Sequence, residues 1–289
     1  MNYLWHILVI LGLYTMLGLS LNLVVGYTGL LSLCHAGFYG VGAYTTALLM
    51  ISLHWGFFPA LGVAALFAAL LGLVVALPAL RLKGDYFVLA TLGAQIILYD
   101  LFYNWTGLTR GSYGLTGIPV PHVFGWEVGS PFAYFLFVAA FTALCALLLG
   151  KLTESPFGRV LRAIRSDEMA MASLGKNTVG FKLTAFCLAA ALAAIPGGLF
   201  AGYMRYIDPS SFTLMESILI LSMVVVGGAG SRSGPMLGAL VLVLLPEILR
   251  FAQFSDAVAA NLRQIIYGVA LVVVMRFRPA VIQGEYEFR

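Results

Sequence analysis

The sequence predicts an all-α fold, a polytopic transmembrane helical bundle of about eight to ten spans at roughly 20 apolar residues per crossing. Three observations predict it. Of 289 residues, 61% are hydrophobic and 10% charged, whereas soluble domains carry about 25% charged residues. The mean hydropathy is +0.98. The apolar stretches recur at span length, separated by short polar intervals, and one longer interval, residues 151–182, holds six of the sixteen Lys and Arg residues.

Spans are expected near residues 3–25, 34–52, 57–80, 86–103, 131–150, 182–204, 214–229, 235–252 and 262–276. The first lacks the basic head of a signal peptide and stays apolar too long for a cleaved leader, so it reads as a retained span. The second is approached through Gly26 and Gly29 and carries Gly37, Gly40 and Gly42. Two readings stand for it. A broken or re-entrant segment would mark a transport pathway, because unwound backbone at membrane depth needs protein or water around it. Alternatively Ala36, Gly40, Ala43 and Ala47 form a small-residue stripe for close helix packing, and this reading is preferred. His35 reads as hydrogen-bonded to a neighbouring helix, without chemistry.

Polar residues within spans are few. Gln95 sits in the middle of the fourth and reads as an interhelical hydrogen-bonding group. Asp100, Glu216, Glu247 and Arg250 are placed near span ends, where they reach an interface, and Glu247 and Arg250 are spaced to pair on one helix face. Residues 104–130 read as an external, turn-rich cap. No polar interval accommodates a separate soluble domain, so residues 1–289 are expected to form a single transmembrane domain.

Basic residues orient the bundle. Arg81, Lys83, the six in 151–182, Arg232, Arg276, Arg278 and Arg289 fall on one side, and Arg110, Arg205, Arg250 and Arg263 on the other. That asymmetry makes the loop 151–182 and the C-terminus cytoplasmic. It also explains the net charge of +4 without nucleic acid, which is excluded as a partner. Cys34, Cys145 and Cys187 are isolated in apolar runs and offer neither a disulfide framework nor metal-ligand spacing.

The cytoplasmic loop reads as folded. Ser155 is an expected N-cap with Pro156 at the first helical position. Phe157, Val160, Leu161 and Ile164 then recur on one face, with Arg159, Arg162 and Arg165 on another. Ser166 is the expected N-cap of a second, shorter helix with Asp167 and Glu168 in its first turn and Gly175 as its C-terminal cap. Met169, Ala170, Met171, Ala172, Ser173 and Leu174 make it a blunt apolar knob suited to a groove on a partner, or else a solvated connector. Thr178 is placed just beyond the knob.

Enzymatic motifs are absent. Gly175-Lys176-Asn177 lacks the rest of a phosphate-binding loop. Gly227, Gly228, Gly230 and Gly234 read as a tight turn between spans rather than a nucleotide loop. The chain is expected to be no enzyme and to bind no cofactor or metal.

Residues 26–49 (GYTGLLSLCHAGFYGVGAYTTALL), 80–92 (LRLKGDYFVLATL), 115–119 (LTGIP), 155–177 (SPFGRVLRAIRSDEMAMASLGKN) and 224–250 (VVVGGAGSRSGPMLGALVLVLLPEILR) resemble the permease subunits of bacterial branched-chain amino acid ABC importers. LTGIP and SPFGRVLRAIRSDE resemble the M-type permease of the Liv system. The resemblance covers nearly the whole chain. It implies a multi-pass protein of the bacterial inner membrane, partnered by a second permease, two ATPase subunits that use ATP and Mg, and a soluble external substrate-binding protein. It implies a coupling helix in the loop 151–182, with Arg165, Asp167, Glu168, Met169, Ala170, Ala172, Leu174 and Gly175 as ATPase-docking residues. The family's E-A-A-x-x-x-G pattern is only loosely kept by Glu168-Met169-Ala170 and Gly175. Gly37, Gly40, Ala43 and Gln95 are candidates for the pathway or for helix packing. Relatives moving urea or short amides, a secondary carrier, and a membrane scaffold remain as other readings. The carrier is disfavoured because ionisable groups are expected at span ends rather than at mid-depth.

Overall fold

The computed structural model describes residues 2–82, 84–123 and 126–251, together with residues 265, 268, 269 and 272. Its helices are α1 (Asn2–Thr28), α2 (His35–Ser52), α3 (Phe57–Ala79), α4 (Asp85–Asn104), α5 (Thr106–Thr109), α6 (Pro131–Glu154), α7 (Pro156–Ser166), α8 (Glu168–Ser173), α9 (Thr178–Met204), α10 (Leu214–Gly227) and α11 (Gly234–Phe251). The architecture is an all-α polytopic bundle. Helices α1, α3, α4, α6 and α9 are each long and apolar enough to cross a membrane. The predicted ninth span, 262–276, lies outside the described residues apart from four helical positions, as does the basic tail after it.

Helix α9 forms the axis, packed against α1, α2 and α3. Its buried Ala and Gly residues let neighbouring backbones approach closely. A Cβ added at Gly42 of α2 would lie 2.1 Å from the Ala194 carbonyl oxygen, and one at Gly197 would lie 2.1 Å from that of Tyr39. The α2–α9 contact is therefore backbone against backbone, and a single methyl group would part it. Antiparallel packing sets Gly72 of α3 beside Cys187 and Ala190, and Leu61 beside Gly198. Arg81 thus falls at the same end of the bundle as residues 151–182. Outward faces of α3, α4 and α6 present Leu66, Leu70, Val74, Ile97, Leu144 and Leu147, all exposed and apolar as a lipid-facing surface requires.

Two irregular segments interrupt the bundle. The first is residues 29–34, between α1 and α2. Gly29, at φ +75°, ends α1 in the left-handed conformation that favours glycine. Helix α2 itself is continuous and almost wholly buried, the small-residue stripe Ala36, Gly40, Ala43 and Ala47 included, and the break offered as the other reading of the second span precedes that helix. The freed backbone groups are satisfied by side chains: Leu33 N–H donates to Thr91 Oγ1 at 3.1 Å, Ala36 N–H to Ser217 Oγ at 2.9 Å and Gly37 N–H to Gln95 Oε1 at 2.7 Å.

The second interruption follows α9. Arg205, at φ 58°, caps that helix. A strand at Tyr206–Ile207 then pairs antiparallel with Leu115–Thr116 of the 104–130 loop, in register Leu115↔Ile207 and Thr116↔Tyr206. After a helical turn at Pro209–Phe212, the chain has re-entered the bundle, because the Phe212 carbonyl accepts from Gln95 Nε2, halfway along α4, at 2.9 Å. Helix α10 therefore starts at mid-depth. Its 14 residues span about 21 Å at 1.5 Å per residue, short of the roughly 30 Å of hydrocarbon. The predicted crossing at 214–229 is corrected to a partial span: the extended and turn residues before it occupy the rest of the depth.

The 104–130 loop is turn-rich as expected, holding α5, a helical turn at Gly111–Tyr113 and a hairpin that pairs His122 with Glu127 and Val123 with Trp126. The glycine run 227–234 is the turn between α10 and α11, with Gly228 and Gly230 at positive φ. Glu247 accepts a hydrogen bond from the Tyr3 hydroxyl; its expected partner Arg250 has a side chain outside the described residues.

Candidate functional site

The segment joining α6 to α9 is built from two unequal helices. Pro156 opens α7 as expected, but the Ser155 hydroxyl turns back to donate to the Leu152 carbonyl at 2.6 Å instead of capping the new helix. Gly158, Leu161 and Ile164 are buried and Phe157 stacks on Phe181 of α9, while Arg159 and Arg162 stay exposed. This fastens α7 along its apolar face to the bundle.

Helix α8 is the opposite case. None of its residues is buried, and six residues are too few to be stable by propensity. Its ends hold it. Asp167, rather than the predicted Ser166, is the N-cap: its Oδ1 accepts from Ala170 N–H at 2.9 Å. Glu168 pairs with Lys182 of α9 at 2.6 Å. Gly175, at φ +76°, terminates the helix with its N–H on the Ala172 carbonyl, and Lys176 N–H returns to Met171. Between these ties Met169 and Leu174 are 82% and 74% exposed, with Ala170 and Ala172 exposed beside them. Two large apolar side chains in water on a small-residue platform form a surface that lacks its counterpart. Asn177 caps α9 and Thr178 is buried at its start, so the knob ends before both.

Arg165 departs from the expected group. It points into the bundle, where its guanidinium donates to the Gly26 carbonyl near the end of α1. Asn22 lies on the same side, its Oδ1 accepting from Gly230 N–H at 2.8 Å and its Nδ2 donating to the Ser231 carbonyl at 2.9 Å. Arg232 adds an ion pair with Glu154. Helix α7, the end of α1 and the α10–α11 turn are thereby tied together.

Within the bundle, Gly37, Gly40 and Gln95 converge. Gln95 is fully buried and joins three elements: it accepts from Gly37 N–H of α2 and from Ser217 Oγ of α10 at 3.2 Å, and it donates to Phe212. A Cβ at Gly40 would lie 2.6 Å from the Phe102 ring and 2.9 Å from that of Phe212. Ala43 is buried in the separate α2–α9 contact. His35 meets Ser20 of α1 at 2.7 Å, the interhelical bond expected. Sequence reasoning missed Ser217, Thr91 and Asn22; short polar residues inside apolar runs were the available signal. Among the described residues no group of His, Cys, Asp and Glu is arranged to hold a metal.

Residues 3–275 match the family described as branched-chain amino acid transport system / permease component. The chain belongs to that family. The permease is 38% identical to the high-affinity branched-chain amino acid transport system permease protein LivM of Escherichia coli K12, over 92% of this chain and 67% of that one. It is 28% identical to a probable LivM of Methanocaldococcus jannaschii, over 95% and 91% of the two chains. To the corresponding LivH protein of Escherichia coli K12 it is 26% identical over 95% and 92%. No solved structure matches it.

Proposed function

We propose that this permease is the membrane subunit of an ATP-driven importer for branched-chain amino acids in the bacterial inner membrane. It forms the translocation pathway with a second, similar permease. Two ATPase subunits dock on α8 and supply ATP hydrolysis with Mg, and an external binding protein delivers substrate at the end bearing residues 104–130. The chain itself performs no catalysis and binds no cofactor.

The observation that supports docking is α8: an apolar-tipped knob with no buried residue, held at both ends and carried by α7, which is fastened to the bundle. A partner that displaces α8 therefore moves α7 and, through Arg165 and Asn22, the ends of α1 and α10. Co-purification of this chain with two ATPase subunits, and leucine uptake that requires them, tests the reading. A secondary carrier is favoured by one observation, a carboxylate at mid-depth on α10; uptake by this chain alone in proteoliposomes would select it.

A further inference from the structure

Glu216 lies halfway through the bundle. Its Oε1 accepts the hydroxyl of Tyr14, midway along α1, while the adjacent Ser217 donates to Gln95, midway along α4. Two helices fix that depth independently. Among the described residues, every other Asp, Glu, Lys and Arg sits in a connecting segment or near a helix end. Among the described helices α10 alone brings a carboxylate to the middle, because the re-entrant residues before it shift its first turn inward.

Such a group does not face acyl chains. An ionised carboxylate in hydrocarbon is costly, and intramembrane carboxylates turn to protein or to a wet cavity. Glu216 is only half-buried, and the cost of a bare carboxylate in hydrocarbon requires that its open side meet protein or water, in contrast to the exposed Leu and Ile surfaces of α3, α4 and α6. Its other oxygen, Oε2, accepts no hydrogen bond among the described residues. Buried neighbours at this level, Gln95, Ser217 and Thr91, are occupied by bonds to backbone and to one another. Among the described residues, Glu216 is the carboxylate left with an open oxygen at this level.

An amino acid crossing this level carries an ammonium group that must keep a partner where water is scarce. Resting on the function proposed above, we propose that Glu216, oriented by Tyr14, receives the ammonium group of an amino-acid substrate at mid-membrane. Tyr3 precedes Tyr14 by three helical turns and shares its face, about 16 Å toward the opposite end of the bundle. Its hydroxyl is bonded to a second carboxylate, Glu247. The same face of α1 therefore presents two successive acceptors along one line.

The test uses the reconstituted importer with leucine as probe. Glu216→Gln is expected to lower import about ten- to a hundredfold, the loss of one charge-assisted hydrogen bond, at unchanged complex yield, with Glu216→Asp restoring most of it. Dicyclohexylcarbodiimide labelling of Glu216 in the wild-type complex is expected to be slowed by leucine and not by 4-methylpentanoate, which has the same carbon skeleton without the ammonium. This second measurement decides even if Glu216→Gln assembles poorly. Wild-type import by Glu216→Gln, or equal protection by both compounds, overturns the assignment. A wild-type complex that imports no leucine overturns the importer reading instead, and protection of Glu216 by leucine then still decides the subsite.

Discussion

Arg165 of α7 donates to the carbonyl of Gly26, one of the last carbonyls of α1. Helix α1 leaves such groups without intrahelical partners and with partial negative charge, so a guanidinium there satisfies a bond and complements the dipole. Burial lowers the Arg165 pKa from its usual value, yet a guanidinium remains charged at any physiological pH. Gly29 and Gly230 leave the space it fills: a Cβ at Gly29 would lie 3.2 Å from Arg165 Cγ, and one at Gly230 3.0 Å from its Nη1. Arg165→Gln is expected to destabilise the complex by about 1.5–3 kcal/mol, the worth of a charged hydrogen bond. It is also expected to reduce import per ATP hydrolysed while α8 still docks. A thermal unfolding midpoint together with the ratio of uptake to ATPase rate checks it; an unchanged ratio would show that Arg165 only stabilises.

Ala170→Arg and Ala172→Arg place a hydrated charge on the α8 knob. Buried against a partner groove without a counter-charge it costs several kcal/mol, and about 4 kcal/mol weakens docking about a thousandfold. Pull-down of the ATPases is expected to fail while membrane levels hold. Thr178→Arg would not be a mild control, since Thr178 is buried at the start of α9. Lys176→Gln, at an exposed position just past Gly175, is expected to behave as wild type.

Gly40→Leu must displace the Phe102 and Phe212 rings, and overpacking of this kind costs about 1–3 kcal/mol. Gly42→Ala is expected to cost more despite adding one methyl, because the obstacle is the Ala194 backbone rather than a side chain that can rotate. Yields and unfolding midpoints of the two variants in detergent give the order. A milder Gly42→Ala would mean that α2 and α9 separate readily.

Gln95→Leu removes an acceptor from Gly37 and Ser217 and a donor from Phe212 at a buried position. Each group left unsatisfied costs about 1–3 kcal/mol, and the irregular start of α10 loses its anchor. Hydrogen exchange at residues 206–217 is expected to quicken selectively; protection equal to wild type would refute the anchoring role.

Orientation is checked with cysteines at Ala170 and Ser112. The first should be shielded from impermeant reagents in intact cells and the second reactive, as the bias of basic residues requires. The reverse labelling would invert the bundle.

Lys and Arg placement, span-length apolar runs and the Pro156 and Gly175 signals were local, and each fixed a feature independently of what packed against it. They made the all-α membrane bundle, the position of α7 and α8 and the turn at 227–234 legible from the sequence. Cap choice was less so: Ser166 and Asp167 are both good caps, and only the backbone of the assembled loop selects Asp167. What the sequence could not reveal depends on depth. Glu216 opens an apolar run that looks like a span, so hydropathy put it at an interface. Pairing of Tyr206–Ile207 with the 104–130 loop and the Gln95–Phe212 bond instead carry it to mid-membrane. Arg165 likewise shares its helix with two solvent-facing arginines, and it turns inward because the end of α1 offers it an unpaired carbonyl. Composition and periodicity determine which segments enter the membrane, since transfer free energy is additive along the chain. Contacts between segments distant in sequence decide where each polar group lies within it, because a buried hydrogen bond needs a partner that only the fold supplies.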